Sequence, residues 1–239
     1  MSSWKAKRFW KEALAVKCDH GWTVELDGRA VKTPAKAALV VPTQAMAEAI
    51  AEEWRAQEAT VDPRTMPVTR AANSAIDKVV PQRAEVVALI AAYGGSDLLC
   101  YRATSPKELI ERQAAGWNQW LDWAAQNLGA TLQTGHGVMH IAQNARALEI
   151  LHEKVAAFDE FSIAALHDLV GLSGSLVLGL AVCARALPPE DAWSISRIDE
   201  DWQAELWGID EDAERLAALK RLDFLHAFRF LTLLDAPVV

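Results

Sequence analysis

Between Ser196 and Glu214 the sequence SRIDEDWQAELWGIDEDAE sets Asp199, Glu200, Asp201, Glu205, Asp210, Glu211, Asp212 and Glu214 around Trp202 and Trp207, with Arg197 near its start to offset them. Carboxylates at this density can ligate a metal, form an acid–base pair, solvate a helix, or present a charged surface to another protein. The first two uses need carboxylates that converge on one point from separate elements. Asp199, Glu200 and Asp201 are consecutive, and on a helix consecutive side chains fan out by about 100°. At most one of them faces any given site. A metal- or carboxylate-dependent enzyme using the helix around Asp199–Glu205 is therefore the alternative reading, not the leading one. Asp210, Glu211 and Asp212 fall in the first turn of the next helix, where negative charge complements the macrodipole.

Other chemical signatures are sparse. His136 and His140 in TGHGVMHIAQ stand four apart, which on a helix would put two imidazoles on one face. Gly135 and Gly137 argue against a helix there, and no Glu follows His136 to complete a metalloprotease pattern. The sequence contains no G-x-S-x-G, no P-loop, no strand-linked G-x-G-x-x-G and no C-x-x-C. Cys18, Cys100 and Cys183 are odd in number and far apart, which predicts free packing thiols in a reducing compartment. No catalytic residue, metal ligand or cofactor is assigned, and no small-molecule substrate is expected.

The acidic segment needs an element to position it. Pro189-Glu190-Asp191 opens a helix that Gly208 stops. On one continuous wheel Ile195, Ile198, Trp202 and Leu206 form a stripe with Glu205 inside it. Trp193, Ser196, Glu200, Gln203 and Trp207 form a second seam at 3-4-3-4 spacing. A helix with two such seams has no wholly solvated face, so one seam is expected to pack internally and the other to receive a partner. Glu205, lying within the apolar stripe, is expected to be largely buried beside Trp202 and paired with an Arg or Lys from another helix, because a buried unpaired carboxylate costs several kcal/mol or takes up a proton. The candidate partner-binding residues are Glu200, Asp201, Trp202, Glu205 and Trp207.

Around this segment the chain reads as an α+β protein. ALAVKC and WTVEL are strand-like on either side of a turn, and Asp27-Gly28 in WTVELDGRAVKT is a hairpin signal. ALVV adds a short strand ending at Pro42. Thr43 then caps an amphipathic helix carrying Met46, Ile50 and Trp54. From about Thr69 onward nearly every segment has helical periodicity. Ser105-Pro106, Asn144 and Ser162 open helices, and Gly129 and Gly208 close others. This predicts an α/β N-terminal domain over residues 1–80, a small sheet with its helix, and an all-α helical-bundle C-terminal domain over residues 81–239.

At 239 residues the chain can bury roughly 70–75% of its unfolded surface without a disulfide or metal staple. Its 51% hydrophobic and 23% charged residues describe a packed protein, not a disordered one. A formal charge of -8 repels phosphate backbones and argues against nucleic acid as a partner. The most apolar run, Leu169 to Ala184, is shorter than the roughly 20 residues that span a bilayer, so a single buried core helix over 163–187 is expected and membrane insertion is not. The start, MSSWKAKRFWKEALAV, has no apolar core of a secretory signal.

RFWKEA, LDGRAVKTP, EEWRAQ, MPVTRAANSAID, DLLCYRA, ERQAAGWNQWLDW, LSGSLVLGLA and DEDWQAELWG occur in order along nearly the whole chain. Together they resemble the signatures of the ATP12-type ATP synthase assembly chaperones that bind the F1 alpha subunit. The resemblance implies an assembly factor and not an enzyme, with the unassembled alpha subunit as partner and beta as the subunit that later joins it. Members occur in the mitochondrial matrix and in alphaproteobacteria. A start so close to RFWKEA suits a cytoplasmic bacterial copy. The family fold, an α/β domain followed by a helical one, agrees with the independent reading of the elements.

Because no His, Cys or carboxylate set has convincing ligand spacing, metal analysis of the purified protein is expected to find no stoichiometric metal, and chelator is expected to leave the Tm unchanged. A reproducible metal-to-protein ratio near one would favour the enzyme alternative.

Overall fold

Asp27 and Gly28 both take positive φ, 49° and 77°, the conformation a two-residue hairpin needs for its twist to match that of its strands. In the computed structural model, which describes residues 7–137 and 139–235, this turn joins β2 (Gly21–Leu26) to β3 (Arg29–Ala30). β2 also pairs antiparallel with β1 (Ala13–Cys18), from Ala13 opposite Leu26 to Cys18 opposite Gly21. The Asp27 carboxylate accepts hydrogen bonds from the backbone N–H groups of Glu12 (2.9 Å) and Lys11 (3.0 Å), which hold its pKa below the ordinary carboxylate value. The first six residues of the basic opening segment lie outside the described residues.

The ALVV segment does not form a continuous strand. It pairs through isolated bridges, Val41 with Trp22 and Ala38 with Lys32, because the chain turns back on itself between Thr33 and Ala37. Gly21 makes the close approach to this segment possible: a Cβ there would lie 2.5 Å from the Val41 carbonyl oxygen. Thr43 caps α1 (Gln44–Arg55) by accepting from Met46 N–H, and α1 buries Met46, Ala47, Ala49, Ile50 and Ala51 toward β1 and β2. The next helix, α2 (Pro67–Ser74), has no cap from its own N-terminal residue. Glu53 of α1 supplies it by accepting from Val68 N–H (2.7 Å), Thr69 N–H (2.8 Å) and the Thr69 hydroxyl (2.6 Å). Burial pushes the Glu53 carboxyl up from its ordinary value, and these donors oppose the push. Asp77, in the π-helical turn that extends α2, accepts from the Thr33 hydroxyl and Ala35 N–H, tying the helix to the loop that follows β3.

The remaining helices are α3 (Arg83–Ala92), α4 (Lys107–Trp123), α5 (Ala145–Ala156), α6 (Glu160–Ser173), α7 (Leu176–Cys183), α8 (Pro189–Ser196), α9 (Ile198–Trp207) and α10 (Glu211–Leu234). Four sequence expectations are corrected here. The single helix over 163–187 is two, α6 and α7, because Gly174 turns the chain at φ 74° and the Ser175 side chain caps the new helix by accepting from Leu178 N–H. The helix expected over 190–207 is also two, since Arg197 leaves helical geometry at φ −105°, ψ 6°. Ser162 is not a cap, because α6 has already begun at Glu160. A short parallel pair, β4 (Tyr101–Arg102) with β5 (Gly135–His136), interrupts what reads as all helix. Two-residue strands are too short for a period of two to show.

The chain groups into two compact units. One unit comprises Met1–Arg83, Glu160–Ala165 and Arg229–Val239, and the other Ala84–Asp159 and Leu166–Phe228, so α6 and α10 contribute to both. The second unit is built around α7, in which every residue from Leu176 to Val182 is buried. Gly179 lets α6 come close: a Cβ there would meet the Val170 side chain at 2.7 Å. Asp97, fully buried, accepts from Leu99 N–H (3.0 Å) and from Val177 N–H in the first turn of α7 (3.0 Å). The three cysteines are free, and burial pushes the Cys100 and Cys183 thiols up to about 12, leaving them unreactive at neutral pH. Among the described residues no helix is long and apolar enough to cross a membrane.

Asp97→Ala leaves the Leu99 and Val177 N–H groups buried without partners. The expected loss is about 3 kcal/mol, read as a fall in Tm of roughly 6–12 °C for a chain of this size. A Tm within 2 °C of wild type would show that the carboxylate is dispensable to the fold.

Candidate functional site

α9 has no buried residue. What holds it is one face of α4, where Arg112, Gln113, Gly116 and Trp117 recur at helical spacing. Trp117 is fully buried and donates its indole N–H to the Ile195 carbonyl oxygen at 2.9 Å, fixing the end of α8. Gly116 leaves room for Ile198: a Cβ there would stand 2.5 Å from the Ile198 Cδ1. The buried Gln113 amide is used at both ends, accepting from Ala103 N–H (2.8 Å) and donating to Asp199 Oδ1 (2.6 Å). Arg112 makes a forked pair with Glu205, Nη1 to Oε1 at 2.7 Å and Nη2 to Oε2 at 2.8 Å, while its guanidinium lies 4.9 Å from the centre of the Trp202 ring. Behind this face Arg102 stacks on Trp117 at 5.2 Å and donates to the Leu99 carbonyl oxygen.

The sequence-derived residues thus fall into two groups. Asp199, Trp202 and Glu205 are engaged by α4, and Glu200 pairs with Arg197 at 2.7 Å. Glu205 finds the cationic partner from another helix that the sequence predicts, yet it is not buried: its side chain is 55% exposed. The expectation of burial fails because α9 meets α4 through directed bonds at the surface and buries no residue of its own, so the face carrying Ile198, Trp202 and Glu205 stays partly open. The second seam, which needs one helix through Arg197, does not persist. Trp193 and Ser196 of α8 are buried, whereas Glu200, Gln203 and Trp207 of α9 are exposed, and Leu206 turns outward instead of continuing the internal stripe. His136 lies in β5 and His140 beyond it outside any helix or strand, with Nδ1 3.4 Å from the Tyr101 hydroxyl, so the two imidazoles do not share a helix face. Among the described residues no three His, Cys, Asp or Glu side chains are placed to hold a metal ion.

What remains exposed is the corner where α9 meets α10. Trp207 is 79% exposed and Ile209 67%, separated by Gly208 at φ 92°. From Ile198 through Asp223 no residue is buried. Large apolar side chains nevertheless stand on this stretch: Leu206, Trp207 and Ile209, then Leu216, Leu219 and Leu222 on α10. The sequence reading found Trp207, placed Leu206 on the internal stripe, and missed Ile209, Leu216, Leu219 and Leu222. The last three carry a signal, a leucine at every third residue, but they follow an acidic first turn that by itself reads as solvated helix.

Known proteins match this chain along its length. The family model described as ATP12 chaperone protein matches residues 7–125. The crystal structure of Atp12 from Paracoccus denitrificans superposes with a TM-score of 0.93 at 48% identity, covering 97% of this chain and 100% of that one. An aspartate-to-lysine variant of the same Paracoccus protein gives the same score and identity over 98% of this chain and 100% of its own. Protein atp12, mitochondrial, of Schizosaccharomyces pombe is 26% identical over 224 residues, 88% of this chain and 76% of the yeast protein.

The hydrogen-bonded Arg112 guanidinium holds the Glu205 carboxyl below its ordinary value. With the folded pKa below the unfolded one, the pair's contribution is complete above the unfolded value and is lost as pH falls through the folded value. Arg112→Ala is expected to return the Glu205 pKa toward the ordinary carboxylate value, followed by NMR titration of its carboxyl carbon. An unchanged titration would separate Glu205 from α4.

Proposed function

This chain belongs to the ATP12 chaperone family, and we propose that it is an assembly chaperone of ATP synthase that binds the unassembled alpha subunit of the F1 sector until the beta subunit joins. The family is one of chaperones and not of enzymes, which sets aside the carboxylate-dependent alternative for Asp199–Glu205. The observation that best supports a holding role is the α9–α10 corner, where Trp207 stands 79% exposed beside an acidic helix. A subunit awaiting its neighbour exposes an interface that would otherwise self-associate, and a protein that covers it needs apolar anchors within a polar rim. The proposed contact comprises Glu200, Asp201, Trp202, Glu205 and Trp207. Trp207 is the anchor, Glu200 and Asp201 meet basic groups of the partner, and Trp202 and Glu205 set the height of α9 through Arg112. Neither cofactor nor nucleotide takes part. The Schizosaccharomyces pombe relative is mitochondrial, and action of this chain in a bacterial cytoplasm is part of the same proposal.

The wild-type protein is expected to capture the isolated F1 alpha subunit of its own organism and not assembled F1, where beta occupies the competing surface. Trp207→Ala is expected to weaken capture by about 2 kcal/mol, roughly thirtyfold in Kd, with the fold unchanged by circular dichroism because the side chain packs against little. Failure of the wild type to capture alpha would sink the assignment. A folded Trp207→Ala variant that captures alpha as strongly as wild type would remove this corner from the contact.

A further inference from the structure

The first half of α10 has no structural need for its leucines. Residues 211–223 include no buried side chain, whereas Phe224, Ala227, Phe230 and Leu231 beyond them are buried. Leu216, Leu219 and Leu222 are 53%, 57% and 50% exposed and follow one another at intervals of three, the spacing of a ridge along a helix surface. Such a ridge fits the groove between side-chain rows of another helix, and it fits flat or extended chain poorly. Ile209 and Trp207, 67% and 79% exposed, precede the ridge in sequence.

Charge selects the occupant. Asp210, Glu211, Asp212, Glu214 and Asp223 surround the ridge in sequence, against Arg215, Lys220 and Arg221, and Arg215 is already paired with Asp212 at 3.0 Å. On α9, Asp201 adds to this acidic field, while Asp199, Glu200 and Glu205 already engage Gln113, Arg197 and Arg112. A second copy of this chain would bring the same carboxylates face to face with themselves, and like charges across an interface cost several kcal/mol. A partner with lysines and arginines beside its apolar face meets no such cost.

We propose that the ridge Leu216, Leu219 and Leu222, with Ile209 and Trp207 before it in sequence, docks an amphipathic helix of the client polypeptide whose apolar face is edged by Lys and Arg. This rests on the chaperone function proposed above and gives it a recognition element: the client is held by a helix laid along α10. Asp201 and the carboxylates beside the ridge steer and orient the basic edge, and the leucines provide the affinity.

The test uses the full-length protein and a fluorescently labelled 18-residue helical peptide of Leu and Lys in amphipathic order, with a Leu/Glu peptide of the same pattern as counterpart. Leu219→Gln combined with Leu222→Gln leaves net charge unchanged and alters side chains that no core residue depends on. Leu89→Gln, on α3 with a leucine 56% exposed, is the control. Wild type and Leu89→Gln are expected to bind the Leu/Lys peptide equally by fluorescence anisotropy, and the double variant at least tenfold more weakly. Equal binding by the double variant, or equal binding of the Leu/Glu peptide, overturns the proposal. So does concentration-dependent dimerisation of the wild type that the double variant lacks in sedimentation, which would assign the ridge to a second copy. Capture of F1 alpha is run in parallel. Alpha held equally by wild type and double variant overturns the ridge and leaves the chaperone function standing. Alpha held by neither, with peptide binding intact in the wild type, overturns the alpha-subunit assignment and leaves the helix-docking ridge.

Discussion

An acidic helix that buries nothing of its own depends on directed bonds from its neighbour, and here those bonds come from one face of α4. The Gln113 amide is central because it satisfies two different segments at once: its oxygen takes the Ala103 N–H and its nitrogen reaches Asp199. Removing it would strand a buried donor on one side and release the start of α9 on the other. Arg112 then closes the outer end by a forked bond to Glu205 and a stack on Trp202. A guanidinium can do both because it is planar, always charged and presents paired donors. The first-turn acids of α9 need no further support, since negative charge there complements the helix dipole.

The same device recurs within each unit. A carboxylate or amide on one element completes the backbone of another: Asp27 for the residues before β1, Asp77 for the loop after β3, Glu53 for the uncapped α2, Asp97 for the buried start of α7. Each is a place where a helix end or loop would otherwise leave N–H groups without partners. These side chains lie in the stretches that carry the family likeness, LDGRAVKTP, MPVTRAANSAID, EEWRAQ and DLLCYRA. The likeness therefore reports the scaffold. The exposed leucines of α10 lie outside every one of those stretches, which is why a reading guided by motifs passes over them.

A protein whose work is to hold another must keep apolar groups exposed without aggregating. The arrangement here offers a physical answer. The apolar row is narrow and interrupted by charged residues, on a chain of net charge -8, so copies repel each other while a basic, apolar client surface is attracted. Rigid seating of α9 on α4 limits the conformational entropy lost when the client docks.

The sequence by itself determined the elements and the family. Period-two alternation and Asp27-Gly28 defined the first hairpin, Thr43 and Asn144 marked helix starts through their capping oxygens, and Gly129 and Gly208 marked helix ends. These signals are local, and local geometry is enough to satisfy them. The sequence also foresaw that Glu205 needs a cation from another helix, because a carboxylate near apolar neighbours must be paired. Only the tertiary structure decided which cation, and that the pair sits near the surface. It also decided that the breaks at Gly174 and Arg197 split what read as continuous helices. The Arg197 break accounts for the fate of the second seam: a wheel carries phase only while the backbone stays helical, so one residue at φ −105° left Trp193 buried and Trp207 exposed.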